Sequence, residues 1–99
     1  MAMSELSVAF CWYQPDEWEK LKATAADKEN LDDTYDEWKS NASRAIQDLR
    51  DEGQHIQKVS IKIEQLEVWC EEEGVDNISQ ARTQYAVHLL KNRRSSFKA

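Results

Sequence analysis

The chain has 99 residues, a net charge of -6 and two cysteines. This length suits one domain, and we predict a domain over residues 1–94 followed by a flexible basic tail over residues 95–99. Residues 1–76 carry all 19 acidic side chains, and residues 77–99 carry five basic ones and no acidic one. Because nucleic-acid binding depends on Lys and Arg neutralising phosphates, the acidic body argues against a broad nucleic-acid interface.

The cysteine content and the hydropathy pattern predict a cytoplasmic protein. Cys11 and Cys70 are far apart and each lies beside a tryptophan, which is typical of free buried thiols. No apolar run is long enough to span a membrane, and no leader with a basic start and an apolar centre is recognisable. We therefore expect no membrane contact.

The first predicted element is a strand from Leu6 to Tyr13. Apolar side chains occupy both of its faces: Val8, Phe10 and Trp12 on one, and Ala9, Cys11 and Tyr13 on the other. A strand of this kind is normally covered on both faces, by helices, other strands or a second subunit. A helix is predicted to start at Pro15 and to stop near Asp27, because proline suits the first helical position.

A long helix is predicted from Leu31 to Glu52, where apolar residues recur at steps of three and four. Trp38 lies in the middle of this apolar stripe. The stripe predicts that the helix spans the molecule and forms the central face of the core. Gly53 follows the helix and suits its C-terminal end.

The second half of the chain predicts a strand and two helices. Alternation over residues 57–63 directs Val59, Ile61 and Ile63 inward and leaves Lys58 and Lys62 outside, as in an exposed edge strand. A short helix is predicted from residue 64 to residue 74. The last helix is predicted to open with a capping-box variant over residues 77–80.

These elements predict a helix-dominated α+β fold with the order β-α-α(long)-β-α-α. Only two strands are present. If each helix reverses the chain, two helices between the strands make the sheet antiparallel. The two glycines and one proline support the preference for helices, because hairpin turns need such residues.

No motif predicts an enzyme, a cofactor or a metal site. The two cysteines and two histidines lack the close pairs that structural zinc sites use. The acidic run from Asp32 to Glu37 lacks the alternating ligands and the central glycine of a calcium-binding loop and is interpreted as a solvated helix face.

The residues with the strongest indication of a binding role are aromatic. Four tryptophans exceed what a small core needs, and such residues are enriched at protein interfaces. We predict an interface that contains Phe10, Cys11, Trp12 and Tyr13. Pairing of the first strand with its copy would give a four-stranded sheet in a homodimer, with the lysine-bearing strands outside. The alternative is a monomer in which the N-terminal segment or the last helix covers the first strand.

The sequence thus predicts a small, cytosolic, non-enzymatic module for protein interaction or regulation, which associates with itself and with a protein partner that the sequence does not identify. The alternative is a nucleic-acid-associated protein that uses the basic last helix and tail, or an acidic competitor for nucleic-acid-binding surfaces. The candidate basic contact residues are Lys91, Arg93, Arg94 and Lys98.

Overall fold

The computed structural model describes residues 7–96, which form four α-helices and a two-stranded sheet. The elements are β1 (Val8–Trp12), α1 (Pro15–Thr24), a 3-10 turn (Lys28–Asn30), α2 (Tyr35–Asp51), β2 (Ile56–Ser60), α3 (Ile63–Glu73) and α4 (Ser79–Ser96). The predicted element order and the helix-dominated α+β class are confirmed. β1 lies inside the predicted strand, whose first residue, Leu6, is outside the described range.

The two strands are parallel, so the predicted antiparallel sheet is wrong. Val8 lies opposite Ile56, and Trp12 lies opposite Ser60. The prediction treated the two intervening helices as two reversals of chain direction. Residues 25–34 instead form a long connection with a 3-10 turn, so the number of helices does not fix the direction of β2. Residues 13–55 also provide the long crossover that a parallel pair requires.

The central helix is shorter than predicted, because α2 begins at Tyr35 and not at Leu31. Thr34 is its N-cap: the Glu37 N–H donates to Thr34 Oγ1 at 3.1 Å, and Glu37 Oε1 accepts from the Thr34 N–H at 3.2 Å. This capping box fixes the first turn. At about 1.5 Å per residue the 17 residues of α2 extend about 25 Å. The longest dimension of the molecule is 42 Å, so α2 does not span it.

The core lies mainly between α1, α3, α4 and the sheet, and not along α2 as predicted. Within α2 the buried side chains are Ala42 and Ile46, whereas Trp38 is half-buried at the margin of the core. The main buried cluster consists of Tyr13, Trp18, Leu21, Ala25, Val59, Ile61, Ile63, Leu66, Cys70, Ala81, Tyr85, Ala86 and Leu90.

Helices cover both faces of the sheet, as the apolar residues on both faces of β1 predict. On one face the Trp12 ring lies 4.9 Å from the Trp38 ring of α2, measured between centroids. On the other face the Cys11 thiol donates to the carbonyl of Arg82 in α4 at 3.3 Å. Because successive side chains alternate between faces, Ala9 also points toward α4 and Phe10 toward α2.

The last two helices differ from prediction at their starts. β2 ends at Ser60, and Ile63 is the first residue of α3 rather than the last inward residue of the strand. α3 ends at Glu73, and the next residue, Gly74, is its C-cap with a left-handed φ of 71°, which suits a glycine at a helix end. α4 begins at Ser79 and continues to Ser96, so residues 95 and 96 of the predicted tail are helical. Residues 97–99 are outside the described range.

Candidate functional site

The outer edge of β1 exposes backbone groups that the sheet does not use. The Val8 N–H donates to the His55 carbonyl at 2.7 Å, and the Ile61 N–H donates to the Trp12 carbonyl at 3.0 Å. In a parallel ladder the backbone of alternate residues faces the neighbouring strand, so the N–H and C=O groups of Ala9 and Cys11 face away from β2. Within residues 7–96 the sheet has two strands, and none of these residues forms a strand beside that edge.

The exposed edge ends at Tyr13. The Tyr35 hydroxyl donates to the Tyr13 carbonyl at 2.9 Å, which gives that backbone group a partner within the chain. The free part of the edge is therefore centred on Ala9 and Cys11, with Phe10 between them.

A groove with a volume of about 260 Å³ runs beside this edge. Its floor is apolar and largely aromatic, and α4 contributes polar residues to one wall. Its lining residues are Ala9, Phe10, Cys11, Tyr13, Trp18, Leu21, Leu31, Trp38, Ser79, Arg82 and Thr83. An open strand edge beside an apolar groove is the arrangement that receives an additional strand, because the backbone supplies hydrogen bonds and the groove receives side chains.

The surface around the groove carries almost no charge. No residue from Ser7 to Gln14 is an acidic or basic residue that carries a charge at neutral pH. On α4, Ser79, Thr83 and Val87 are exposed, are spaced by four residues and so follow one side of the helix. The ammonium group of Lys58, on β2, lies over the face of the Trp12 ring at 4.0 Å from its centroid and forms a favourable cation–π interaction with it.

The groove wall on α4 is held in place by a buried arginine. Arg82 forms a bidentate ion pair with Asp27, with Nη1 to Oδ1 and Nη2 to Oδ2 both at 2.9 Å. Arg82 Nη1 also donates to Asn77 Oδ1 at 3.0 Å. The Ser79 N–H donates to Asp27 Oδ2 at 3.1 Å, so the carboxylate satisfies a free donor in the first turn of α4. These bonds attach the start of α4 to the loop after α1.

Asn77 does not cap α4 as the sequence predicts. Its side-chain oxygen accepts from Arg82, and its Nδ2 donates to Glu67 of α3 at 2.6 Å. Asp27, which is far away in the sequence, supplies the acceptor for the first turn instead. No local sequence pattern indicates that Asp27, rather than Asn77, accepts the hydrogen bond from the first turn of α4.

Three of the four predicted interface residues line the groove. Phe10 and Cys11 are half-buried there, and Tyr13 is buried in its floor. Trp12 is half-buried against Trp38 and beneath Lys58, and it does not line the groove. The predicted interface is thus divided between the edge groove and the face covered by α2.

Both ionisable groups of the groove floor are neutral at pH 7. Burial raises the pKa of the Cys11 thiol and is the largest cause of its shift. Burial also raises the pKa of the Tyr13 phenol well above its ordinary value. A neutral thiol and a neutral phenol beside the edge preserve the uncharged character of the surface.

Sequence reasoning missed the α4 wall and Leu31. Leu31 is predicted to be the first residue of the long helix, but it lies before α2 and its backbone is extended. The stretch from Asn77 to Leu90 has one charged residue, Arg82, in a chain that is 32% charged. That local loss of charge was a readable signal for a covered or contacting surface.

The predicted basic cluster is only partly described. Lys91 and Arg93 are exposed on the last turns of α4, and Arg94 falls within that helix. Lys98 lies outside the described residues. The basic residues are on the helix that forms a groove wall but are C-terminal to the part that lines the groove.

Within residues 7–96, no three His, Cys, Asp or Glu side chains are grouped so that they could hold a metal ion. Both cysteines are free, Cys11 half-buried and Cys70 buried. Over the same residues, no helix combines the length and the apolar character needed to cross a membrane. Comparisons with protein families, with curated proteins and with solved structures gave no match to this chain.

Proposed function

We propose that this chain is a small, non-enzymatic protein-interaction module of the cytoplasm that associates with itself through the outer edge of β1. The observation that carries the proposal is that, among residues 7–96, no strand pairs with the outward backbone groups of Ala9 and Cys11, which lie beside an apolar groove. Edge strands normally carry charges or proline that prevent pairing with other chains. β1 has neither, so its edge is suited to binding another strand.

The contrast with β2 supports the choice of strand. The backbone of Lys58 faces the outer edge of β2, since Gln57 and Val59 face β1, and its charged side chain is exposed. A lysine on an edge strand opposes pairing with a second chain. Two copies are therefore expected to meet through β1, with β2 outermost in the four-stranded sheet.

Two further features support a cytoplasmic binding module. The cysteines are free thiols, as expected in a reducing compartment. The ionisable side chains that line the groove are Cys11, Tyr13 and Arg82, and burial raises the pKa of the thiol and of the phenol, whereas general acid–base catalysis needs a group that titrates near the working pH. A role in regulation would follow if the same edge exchanged its own copy for a different partner.

The test is a proline substitution at a backbone position that the monomer does not use. The N–H of Ala9 points out of the sheet, so Ala9→Pro removes an intermolecular donor without removing a bond of the β1–β2 ladder. We expect the wild type to sediment as a dimer at micromolar concentration and Ala9→Pro to sediment as a folded monomer, with helix content by circular dichroism unchanged.

The matched control is Ser60→Pro, which places the same residue at an outward position of β2. Ser60 lies opposite Trp12 and is exposed. This variant should remain a dimer. A wild type that is strictly monomeric would overturn self-association. If Ser60→Pro loses the dimer and Ala9→Pro retains it, the interface lies on β2 and the proposed use of β1 is wrong.

The basic end of α4 keeps nucleic-acid binding as the competing function. Lys91 and Arg93 are exposed there. Nucleic-acid binding would not use the groove or the outer edge of β1, because phosphate contacts require cationic side chains. The dependence of binding on salt concentration separates the two functions.

A further inference from the structure

The geometry of β1 restricts how two copies can pair. A two-fold axis that joins identical edges makes the two β1 strands antiparallel. In an antiparallel pair, residues that exchange both backbone bonds must have their N–H and C=O groups directed at the partner. On the free edge these residues are Ala9 and Cys11, which lie on either side of Phe10.

One register pairs the whole of β1 with its copy. When the axis passes beside Phe10, Ala9 faces the partner's Cys11, Val8 faces the partner's Trp12, and all residues from Val8 to Trp12 are paired. An axis beside Ala9 or Cys11 leaves two residues at one end of the strand without a partner in the other β1. It also moves the next hydrogen-bonded pair to Ser7 or to Tyr13, whose carbonyl already accepts from Tyr35.

The side chains favour the same register. Val8 is 44% exposed, the highest value within β1, and the axis at Phe10 places it beside a tryptophan of the second copy. Phe10 then lies opposite the partner's Phe10. Aromatic pairs and pairs of an aromatic with a β-branched residue are the favourable cross-strand combinations. On the opposite face the small side chains of Ala9 and Cys11 adjoin, which lets the two α4 helices approach.

Charge also favours a second copy as the occupant of the groove. Each chain carries a net charge of -6, so two copies repel one another wherever acidic surfaces meet. The surface formed by β1 and by Ser79, Thr83 and Val87 on α4 has no exposed charge of its own. A two-fold axis perpendicular to the sheet places both α4 helices on one side, so these uncharged stripes face each other.

We infer that the dimer is built about a two-fold axis beside Phe10, with β1 of each copy seated in the groove of the other and with the uncharged stripe of α4 completing the interface. This inference rests on the proposed self-association and specifies its register and partner surface. Edge pairing alone covers too little area for a stable interface, which typically needs about 800 Å² per partner, so the contribution of α4 is necessary.

Disulfide trapping tests this register. The residues of a hydrogen-bonded antiparallel pair have Cα atoms about 5.5 Å apart, within the range that a disulfide bridges. In Ala9→Cys the new thiol therefore lies opposite the partner's Cys11. Mild oxidation removes two electrons and two protons from each thiol pair, with oxidised glutathione as the acceptor. We expect a covalent dimer whose linked peptides, by mass spectrometry, join position 9 of one copy to position 11 of the other.

Two controls and a second variant make the result specific. Wild type should form no such dimer, because Cys11 lies opposite Ala9, and Ala9→Cys combined with Cys11→Ser should also form none. Phe10→Cys combined with Cys11→Ser should form a dimer linked through position 10, because non-hydrogen-bonded partners lie about 4.5 Å apart.

The outcomes separate the register from self-association itself. Links between two copies of position 9, or between two copies of position 11, would overturn the register and retain an edge-paired dimer. A sedimenting dimer with no link from either variant would overturn the seating of β1 in the groove. A monomer by sedimentation would overturn the proposed function and this inference together.

Discussion

At the scale of residues, the geometry of the groove depends on Arg82 and Asp27. Arg82 is 5% exposed, and its guanidinium is bound by one carboxylate and by Asn77. A buried cation is tolerated only when such partners replace its hydration. The same arginine places its own carbonyl over the Cys11 thiol, so the ion pair links the loop after α1 to the free edge of β1.

Replacement of Asp27 by Asn should destabilise the protein by about 3 kcal/mol at pH 7, because it leaves a buried guanidinium without a counter-ion. The hydrogen bond from Arg82 lowers the pKa of Asp27 in the folded state. Its contribution to stability is therefore present above the unfolded pKa of about 3.9 and is lost as the pH falls through the lower folded pKa.

Urea unfolding at several pH values measures this prediction. The difference between wild type and Asp27→Asn should be constant between pH 7 and pH 5 and should decrease below about pH 4. A matched control is Asp33→Asn, which makes the same change at an exposed position of the same connection between α1 and α2. A difference below about 0.5 kcal/mol at pH 7 would show that the ion pair does not stabilise the fold.

The sequence could not identify this pair. Asp27 and Arg82 are separated by 55 positions, and the sequence around each residue does not indicate the other as its partner. The grouping of Phe10, Cys11 and Tyr13 beside one groove was partly predictable, because an uncharged strand that is apolar on both faces is a local pattern, whereas their role in an interface stays a prediction. The sequence did not predict that Trp12 would lie apart from these residues, since that depends on which helix covers each face of the sheet.

At the scale of elements, helix positions were predictable, helix starts were less so, and the start of α2 differed most from the prediction. Pro15 and Gly74 mark helix ends by backbone chemistry that acts locally, and both ends lie where the sequence places them. For α2 the apolar period extended back to Leu31, and the capping signal of Thr34 and Glu37 determined the start instead. The capping hydrogen bonds determined where the helix starts, and the apolar periodicity did not, because the Thr34 hydroxyl oxygen fixes the first turn.

Thr34→Ala should reduce the free energy of unfolding by about 1 kcal/mol, because the Glu37 N–H loses its acceptor at the start of α2. Thr24→Ala is the control, since that exposed hydroxyl donates to the Lys20 carbonyl inside a helix and caps no terminus. The control should change stability by less than about 0.5 kcal/mol. Equal effects in guanidinium unfolding would show that the capping box does not define the start of α2.

The parallel direction of the strands is also a property of elements and not of local sequence. It depends on how α1 and α2 cross, and the connection over residues 25–34 leaves that crossing to tertiary packing. No residue pattern in β1 or β2 distinguishes the two directions. The lysines of β2 indicated that the uncharged edge is the one on β1. Which residues of β1 direct their backbone groups away from β2, namely Ala9 and Cys11, required the structure.

At the scale of the whole molecule, charge is distributed unevenly along the chain. The first 76 residues have a net charge of -11 and the last 23 have +5, whereas β1 and the exposed residues Ser79, Thr83 and Val87 of α4 carry no charge. The proposed contact through β1 and α4 is uncharged, so it does not depend on attraction between the acidic segment of one copy and the basic segment of the other. The separation gives the two candidate functions opposite responses to salt.

Self-association through the uncharged surface should be unchanged or strengthened when the salt concentration rises from about 0.05 M to about 0.5 M, because salt screens the repulsion between two copies of net charge -6. Nucleic-acid binding through the basic end of α4 should weaken steeply instead. Up to four phosphate contacts give a slope of roughly -3 to -4 in a plot of log K against log salt. Sedimentation equilibrium measures the first response, and fluorescence anisotropy of a labelled DNA duplex measures the second.

The double variant Lys91→Ala and Arg93→Ala distinguishes the two responses in one protein. Both side chains are exposed and C-terminal to the groove, so the fold and the dimer should be retained. If the duplex binds wild type with a steep salt slope and no longer binds this variant, the basic end of α4 is a nucleic-acid contact. If dimer formation weakens as salt rises, attraction between charged regions dominates association, and the uncharged edge of β1 is not the contact that holds the copies together.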